Sequence, residues 1–126
     1  MPIKVVDASA VAAVLFVEPG ADTVAGRIEG FELACPTLLP YEVASVCGKK
    51  IRRQPNLRRE LLRSLLNLAR MGITEHAVPP TDAVDLAQRL ELTPHDAAYV
   101  WVARFLDAEL VTLDRKLDRA CRSAGR

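Results

Sequence analysis

The sequence predicts an α/β fold with three layers, α/β/α, built on a mostly parallel sheet of four or five short strands. Two observations predict it. Short apolar, largely β-branched runs alternate with longer segments whose apolar residues recur at helical spacing. The first such run, Ile3-Lys4-Val5-Val6-Asp7-Ala8-Ser9-Ala10, is cut by an acid and passes straight into alanines. A strand leading directly into a helix is the repeating unit of parallel sheets whose faces are covered. With 126 residues, 50% of them hydrophobic, the chain has the length of one domain, expected over residues 1–126.

After the first strand, Ser9 is the expected N-cap of a short helix through Phe16, striped by Val11, Val14 and Leu15 and broken by Pro19-Gly20. A second helix over 21–29 carries Ala21, Val24, Ala25 and Ile28 on one side and stops at Gly30. Residues 31–35 are the second strand. Thr37 and Pro40 open a third helix, with Val43, Val46, Cys47 and Ile51 at helical spacing, to about Arg53. Gln54-Pro55-Asn56 is a turn, and residues 57–71 are the longest helix, striped by Leu61, Leu65 and Leu68 and stopped by Gly72. Together they predict a helical hairpin at about 40–71.

Residues 73–78 read as the third strand, ended by Pro79-Pro80, and Thr81 is the expected cap of a helix to about Glu91 with Ala83, Leu86, Ala87 and Leu90 on one face. Thr93-Pro94-His95-Asp96 is a helix start with a capping Thr, Pro at the first position and an acid at the third. That helix runs to Leu106. Residues 109–113 are the last strand, and Asp114 caps a final helix with Leu117, Ala120 and Cys121 as its apolar face.

The three cysteines, Cys35, Cys47 and Cys121, are odd in number, widely spaced and set among apolar neighbours, the pattern of buried thiols and not of a disulfide framework. No apolar run approaches a membrane span and the N-terminus lacks a signal-peptide layout, so a cytoplasmic location is expected. The formal net charge is +1, but residues 49–63 carry seven basic residues against Glu60, a local +6 that leaves the rest of the chain at −5. Lys49, Lys50, Arg52 and Arg53 head that cluster.

The acids are placed by topology. Asp7 and Asp114 each follow a strand, so in a parallel sheet both reach its carboxyl edge. The helix from Pro94 precedes the last strand and runs antiparallel to it, which brings Asp96 to the same edge; Glu42, in the first turn of the helix after the second strand, starts there too. Asp118 lies one turn beyond Asp114. Asp96 also continues the core-facing stripe of Tyr99, Ala103 and Leu106, an unusual setting for a charge. Like charges gathered at one edge repel unless a cation offsets them, and hard oxygen ligands suit Mg²⁺ or Mn²⁺. Such a site hydrolyses phosphodiesters through a metal-activated water, and the basic hairpin would contact a nucleic-acid backbone.

Four stretches carry a family resemblance: Val6-Asp7-Ala8-Ser9-Ala10, Leu39-Pro40-Tyr41-Glu42-Val43, Thr93-Pro94-His95-Asp96-Ala97-Ala98-Tyr99, and Leu110-Val111-Thr112-Leu113-Asp114-Arg115-Lys116-Leu117. In this order the chain resembles PIN-domain ribonucleases, and most closely the VapC-type toxins of toxin-antitoxin pairs. The resemblance implies a Mg²⁺- or Mn²⁺-dependent endoribonuclease. It puts Asp7, Glu42, Asp96 and Asp114 on the family's acidic positions and Ser9 and Thr112 on its supporting hydroxyl positions. Asp118 matches a further acid that only part of the family carries. It also implies a homodimer silenced by a VapB-type antitoxin whose tail lies beside the helical hairpin. His95 stands where relatives often have an aromatic or other residue, and no catalytic role is assigned to it.

Rival functions are weaker. A doubly wound phosphatase needs a second acid two residues after Asp7, where Ser9 stands. A phosphoacceptor receiver needs an acceptor Asp after a middle strand and a Lys after the last, and neither is in place. The alternative that survives is a non-catalytic PIN-like module holding a protein or RNA partner.

Overall fold

The computed structural model describes residues 2–124; Met1, Gly125 and Arg126, the ends of the span expected to form the domain, lie outside the described residues. Four strands form one sheet: β1 (Ile3–Val6), β2 (Glu32–Pro36), β3 (Thr74–His76) and β4 (Glu109–Val111), in the order β3-β2-β1-β4. Every pairing is parallel, with Val5 opposite Ala34 and Leu110, and Val6 opposite Val111. The α/β class and the count of four strands agree with the sequence reading. The helices are α1 (Ala8–Leu15), α2 (Ala21–Ile28), α3 (Leu39–Arg53), α4 (Arg58–Leu66), α5 (Pro80–Leu90), α6 (Pro94–Leu106) and α7 (Arg115–Ala124).

The strand order decides the layers. The connections from β1 to β2 and from β2 to β3 step one way across the sheet, and the connection from β3 to β4 returns past both. Because crossovers between parallel strands are right-handed, α1 to α4 fall on one face and α5 and α6 on the other. Accordingly α6 packs on β1, β2 and β4 with α5 behind it, while α1 packs against α2 and α3. The order reverses between β1 and β4, and in open parallel sheets a crevice opens at the carboxyl ends of the strands flanking such a reversal.

Between the layers lies a core of Val5, Val6, Val11, Leu39, Val43, Val100, Val102 and Val111, each at most 1% exposed. The thiols of Cys35 and Cys47 are buried, and burial pushes the Cys35 thiol up to about 12. At the amino edge of the sheet Lys4 donates to the Arg27 carbonyl at 2.6 Å and sits 3.9 Å over the Phe31 ring, while Arg27 pairs with Glu109. No helix among the described residues is long and apolar enough to cross a membrane.

Several local expectations are corrected. Asp7, not Ser9, caps α1: its backbone is extended and its side chain accepts from the Ala10 amide. The strands over 73–78 and 109–113 are three residues each, since only the stretches facing a neighbouring strand enter the ladder. Thr81 does not cap α5, which begins at Pro80 with Pro79 as a cap that has no side-chain acceptor. Residues 57–71 are not one helix: a 3-10 turn over Pro55–Leu57 precedes α4, and a second over Asn67–Met71 follows it, closed by Gly72 in the left-handed region (φ 64°). In a 3-10 turn residues three apart eclipse. The tightening thus aligns Leu68 with Met71, both of which pack on the core, where a continued α-helix would rotate them apart.

The role of α5 as the outer layer on α6 makes a prediction. Leu86 is 4% exposed within the core. Leu86→Ala should lower unfolding free energy by about 2–5 kcal/mol in urea with an unaltered slope, and a loss below about 1 kcal/mol would mean that α5 is not a packed layer.

Candidate active site

At the switch point, the sequence Thr112-Leu113-Asp114 leaves β4 beside Asp7 leaving β1. Asp7 is only 5% exposed, and a carboxylate so buried needs donors. It has three. Ser9 Oγ donates to Oδ1 at 2.8 Å, the Ala10 amide to Oδ1 at 3.0 Å, and Thr112 Oγ1 to Oδ2 at 2.5 Å. The hydroxyls are held in turn: the Leu113 amide donates to Ser9 Oγ at 2.9 Å and the Asp114 amide to Thr112 Oγ1 at 3.0 Å. Each hydroxyl has one proton, and both protons go to Asp7. The 3.2 Å approach of Ser9 Oγ to Thr112 Oγ1 is therefore packing, not a further bond.

The other acids arrive from separate elements. Asp114 caps α7, accepting from the Leu117 amide at 3.1 Å. Asp96 sits in the first turn of α6, its amide bonded to Thr93 Oγ1 at 3.1 Å. Glu42 sits in the first turn of α3, and Oε1 accepts from the Tyr99 hydroxyl at 2.6 Å. Tyr99 is 1% exposed. The sequence pattern puts it on the stripe of Asp96, as a core residue or part of a partner surface, and gives no sign of its bond to Glu42. The available signal was that a buried tyrosine needs a partner for its hydroxyl.

Electrostatics joins the four. Burial raises the Asp7 carboxyl, its three donors oppose the rise, and Asp114 adds to it. Burial raises Glu42, with Tyr99 and His95 opposing and Asp96 and Asp7 adding. Burial raises Asp96 as well, with Asp114 adding and His95 and Lys116 opposing. Each acid thus repels the next around a closed circuit, Asp7 to Glu42 to Asp96 to Asp114 and back to Asp7. Tyr99 is held above the usual phenol range, chiefly by burial and its bond to Glu42, so it stays a donor.

Not every candidate joins the circuit. Asp118 turns to Arg122, which donates to it at 3.0 Å. Lys50 pairs with Glu18 and lies 5.6 Å from the Phe16 ring centre, whereas Lys49, Arg52 and Arg53 are exposed on the later turns of α3. Among the described residues no three His, Cys, Asp or Glu side chains are close enough to ligate one ion together. The donor set still fits a hard divalent cation. Its donors are carboxylate oxygens that repel one another, and Mg²⁺ takes one or two carboxylates directly while keeping several waters.

Raised carboxyl values have a consequence for stability. A carboxyl whose folded value exceeds its unfolded one contributes stability that is complete below the ordinary range, 3.8 for Asp and 4.5 for Glu, and is lost as pH rises through the folded value. Without divalent cations, the thermal midpoint should therefore rise as pH is lowered from above the folded values toward the ordinary carboxylate range, and Asp96→Asn should flatten that slope. Calorimetry at a series of pH values checks both; an Asp96→Asn slope equal to that of the parent would remove Asp96 from the circuit.

The profile of the PIN domain family matches residues 4–123. Ribonuclease VapC3 of Pyrobaculum aerophilum is 35% identical over 120 residues, covering 90% of this chain and 90% of that protein. The crystal structure of PAE2754 from Pyrobaculum aerophilum superposes with a TM-score of 0.78 at 27% identity, over 94% of this chain and 84% of that one. The chain belongs to the PIN-domain family, among its VapC-type members.

Proposed function

We propose that this protein is a single-domain, metal-dependent endoribonuclease, the toxin of a VapBC-type toxin-antitoxin pair, acting in the cytoplasm as a homodimer and silenced by a VapB-type antitoxin. The observation that carries the reading is the closed circuit of Asp7, Glu42, Asp96 and Asp114, brought from four elements to one sheet edge. Its occurrence in a chain similar to a protein called Ribonuclease VapC3 supports RNA as the substrate.

In this reading one or two of the four carboxylates would hold the cation directly and the others through its waters. When bound, Mg²⁺ or Mn²⁺ supplies a water of lowered pKa and offsets charge on the phosphate and the leaving oxygen. The chain does the positioning. Ser9, Thr112 and the Ala10 amide fix the plane of the Asp7 carboxylate, and Tyr99 fixes Glu42 by one oxygen. Lys49, Arg52 and Arg53 lie between about 10 and 16 Å from Glu42 along the axis of α3, a spacing suited to phosphates flanking the cut one. Lys50 would have to leave Glu18 to join them.

Purified protein with Mg²⁺ or Mn²⁺ should cut single-stranded regions of a mixed cellular RNA, EDTA should abolish cutting, and Asp7→Asn or Asp96→Asn should each lower it by about 100-fold or more. If folded wild type binds the metal yet cuts no more than these variants, the non-catalytic module replaces the enzyme. Tyr99→Phe should weaken Mn²⁺ binding about tenfold by calorimetric titration, since it removes an orienting partner and not a ligand. An unchanged affinity would reduce the Tyr99 bond to a packing detail.

A further inference from the structure

Beside the acids the carboxyl edge holds a recess of about 260 Å³ between the ends of β2 and β3 and the starts of α5 and α6. Its lining is mostly apolar, formed among others by Leu38, Val78, Val84 and Pro94, together with Thr37 and His95. No Asp or Glu lines it. A base can thus enter it without meeting a carboxylate in its lining. Val84 is 47% exposed, a large apolar side chain left open to solvent.

The volume lies just under the range of about 300–1,000 Å³ typical of drug-sized ligand sites, which suits one ring system and excludes a helix or a duplex. His95 joins the recess to the site: it lines the cavity, adjoins Asp96 in sequence and lies within electrostatic reach of both Glu42 and Asp96. Sequence-dependent recognition of RNA works mainly on unstacked single-stranded bases, which stack on side chains such as histidine and hydrogen-bond at their edges. A largely apolar recess that counts His95 and Thr37 among its lining residues has the side-chain types for both contacts.

We infer that this recess takes one base of the single-stranded RNA, next to the phosphate held at the acids, stacked against His95 and the apolar wall with Thr37 reading its edge. The inference rests on the proposed nuclease reading, and it makes the recess the source of base preference at one position near the cut. The acids, which touch only backbone in that reading, supply none.

The test uses wild-type protein with Mg²⁺ and short oligoribonucleotides, each carrying a fluorescent purine analogue at one position. Quenching is read by stopped flow before any cleavage, and cut sites in mixed RNA are mapped in parallel. Quenching should appear at one position only. In Val84→Glu and His95→Ala, both at exposed or half-exposed sites and checked for folding by circular dichroism, binding should weaken about tenfold and the mapped base preference should flatten. Quenching at no position, or quenching unaltered in both folded variants, overturns the inference. Cutting without position-specific quenching leaves the nuclease and removes the recess. Position-specific quenching without cutting leaves the recess as a base site and removes the nuclease.

Discussion

The bond between Thr112 and Asp7 is what the rest of the arrangement depends on. It crosses from β4 to β1 at the point where the strand order reverses, joining residues 105 apart in sequence. A carboxylate at such a crevice is useful only if it stays charged, and burial opposes that. The two hydroxyls and the Ala10 amide answer the burial, and the amides that hold those hydroxyls belong to the chain leaving β4. One small network therefore sets the register between two strands, caps α1 and orients an acid. Among the described residues no buried side-chain nitrogen or oxygen is left without a partner, so the network is a satisfied one, of the kind that specifies a single arrangement.

The fold and the proposed site pull against each other. Three of the four acids are held above their ordinary values by burial and by one another. Two sit in the first turn of helices, where the backbone partial charge favours an anion. That favourable term is local to each helix, whereas the repulsion runs around the whole circuit. The free chain thus stores unfavourable energy where a cation would relieve it, and this is a reason for a functional edge to be less stable than the core beneath it.

How much of this could be read in advance depended on whether the cause was local. The start of α6 was legible because Thr93, Pro94 and Asp96 act within four consecutive residues. Asp7 and Asp114 were legible as edge residues because each follows a short apolar run, and helix direction placed Glu42 and Asp96 beside them. The bond from Tyr99 to Glu42 was not legible, since it spans 57 residues and depends on how far α6 leans toward α3. Nor was the break after Leu66, because leucines at positions 65 and 68 satisfy a 3-10 period and an α-helical one equally well. The capping of α1 went to Asp7 in place of Ser9 for a competitive reason: the serine hydroxyl is committed to the aspartate and to Leu113.

The sequence has one tryptophan, Trp101, midway along α6. Its ring lies 5.1 Å from Phe105 at an interplanar angle of 12°, and its indole nitrogen donates to Asp82 on α5 at 3.2 Å. The helix that begins with Asp96 therefore carries an intrinsic fluorophore whose surroundings are set by two helices at once. Its emission reports the seating of α5 on α6 without any label, from the same helix whose Tyr99 is bonded to Glu42.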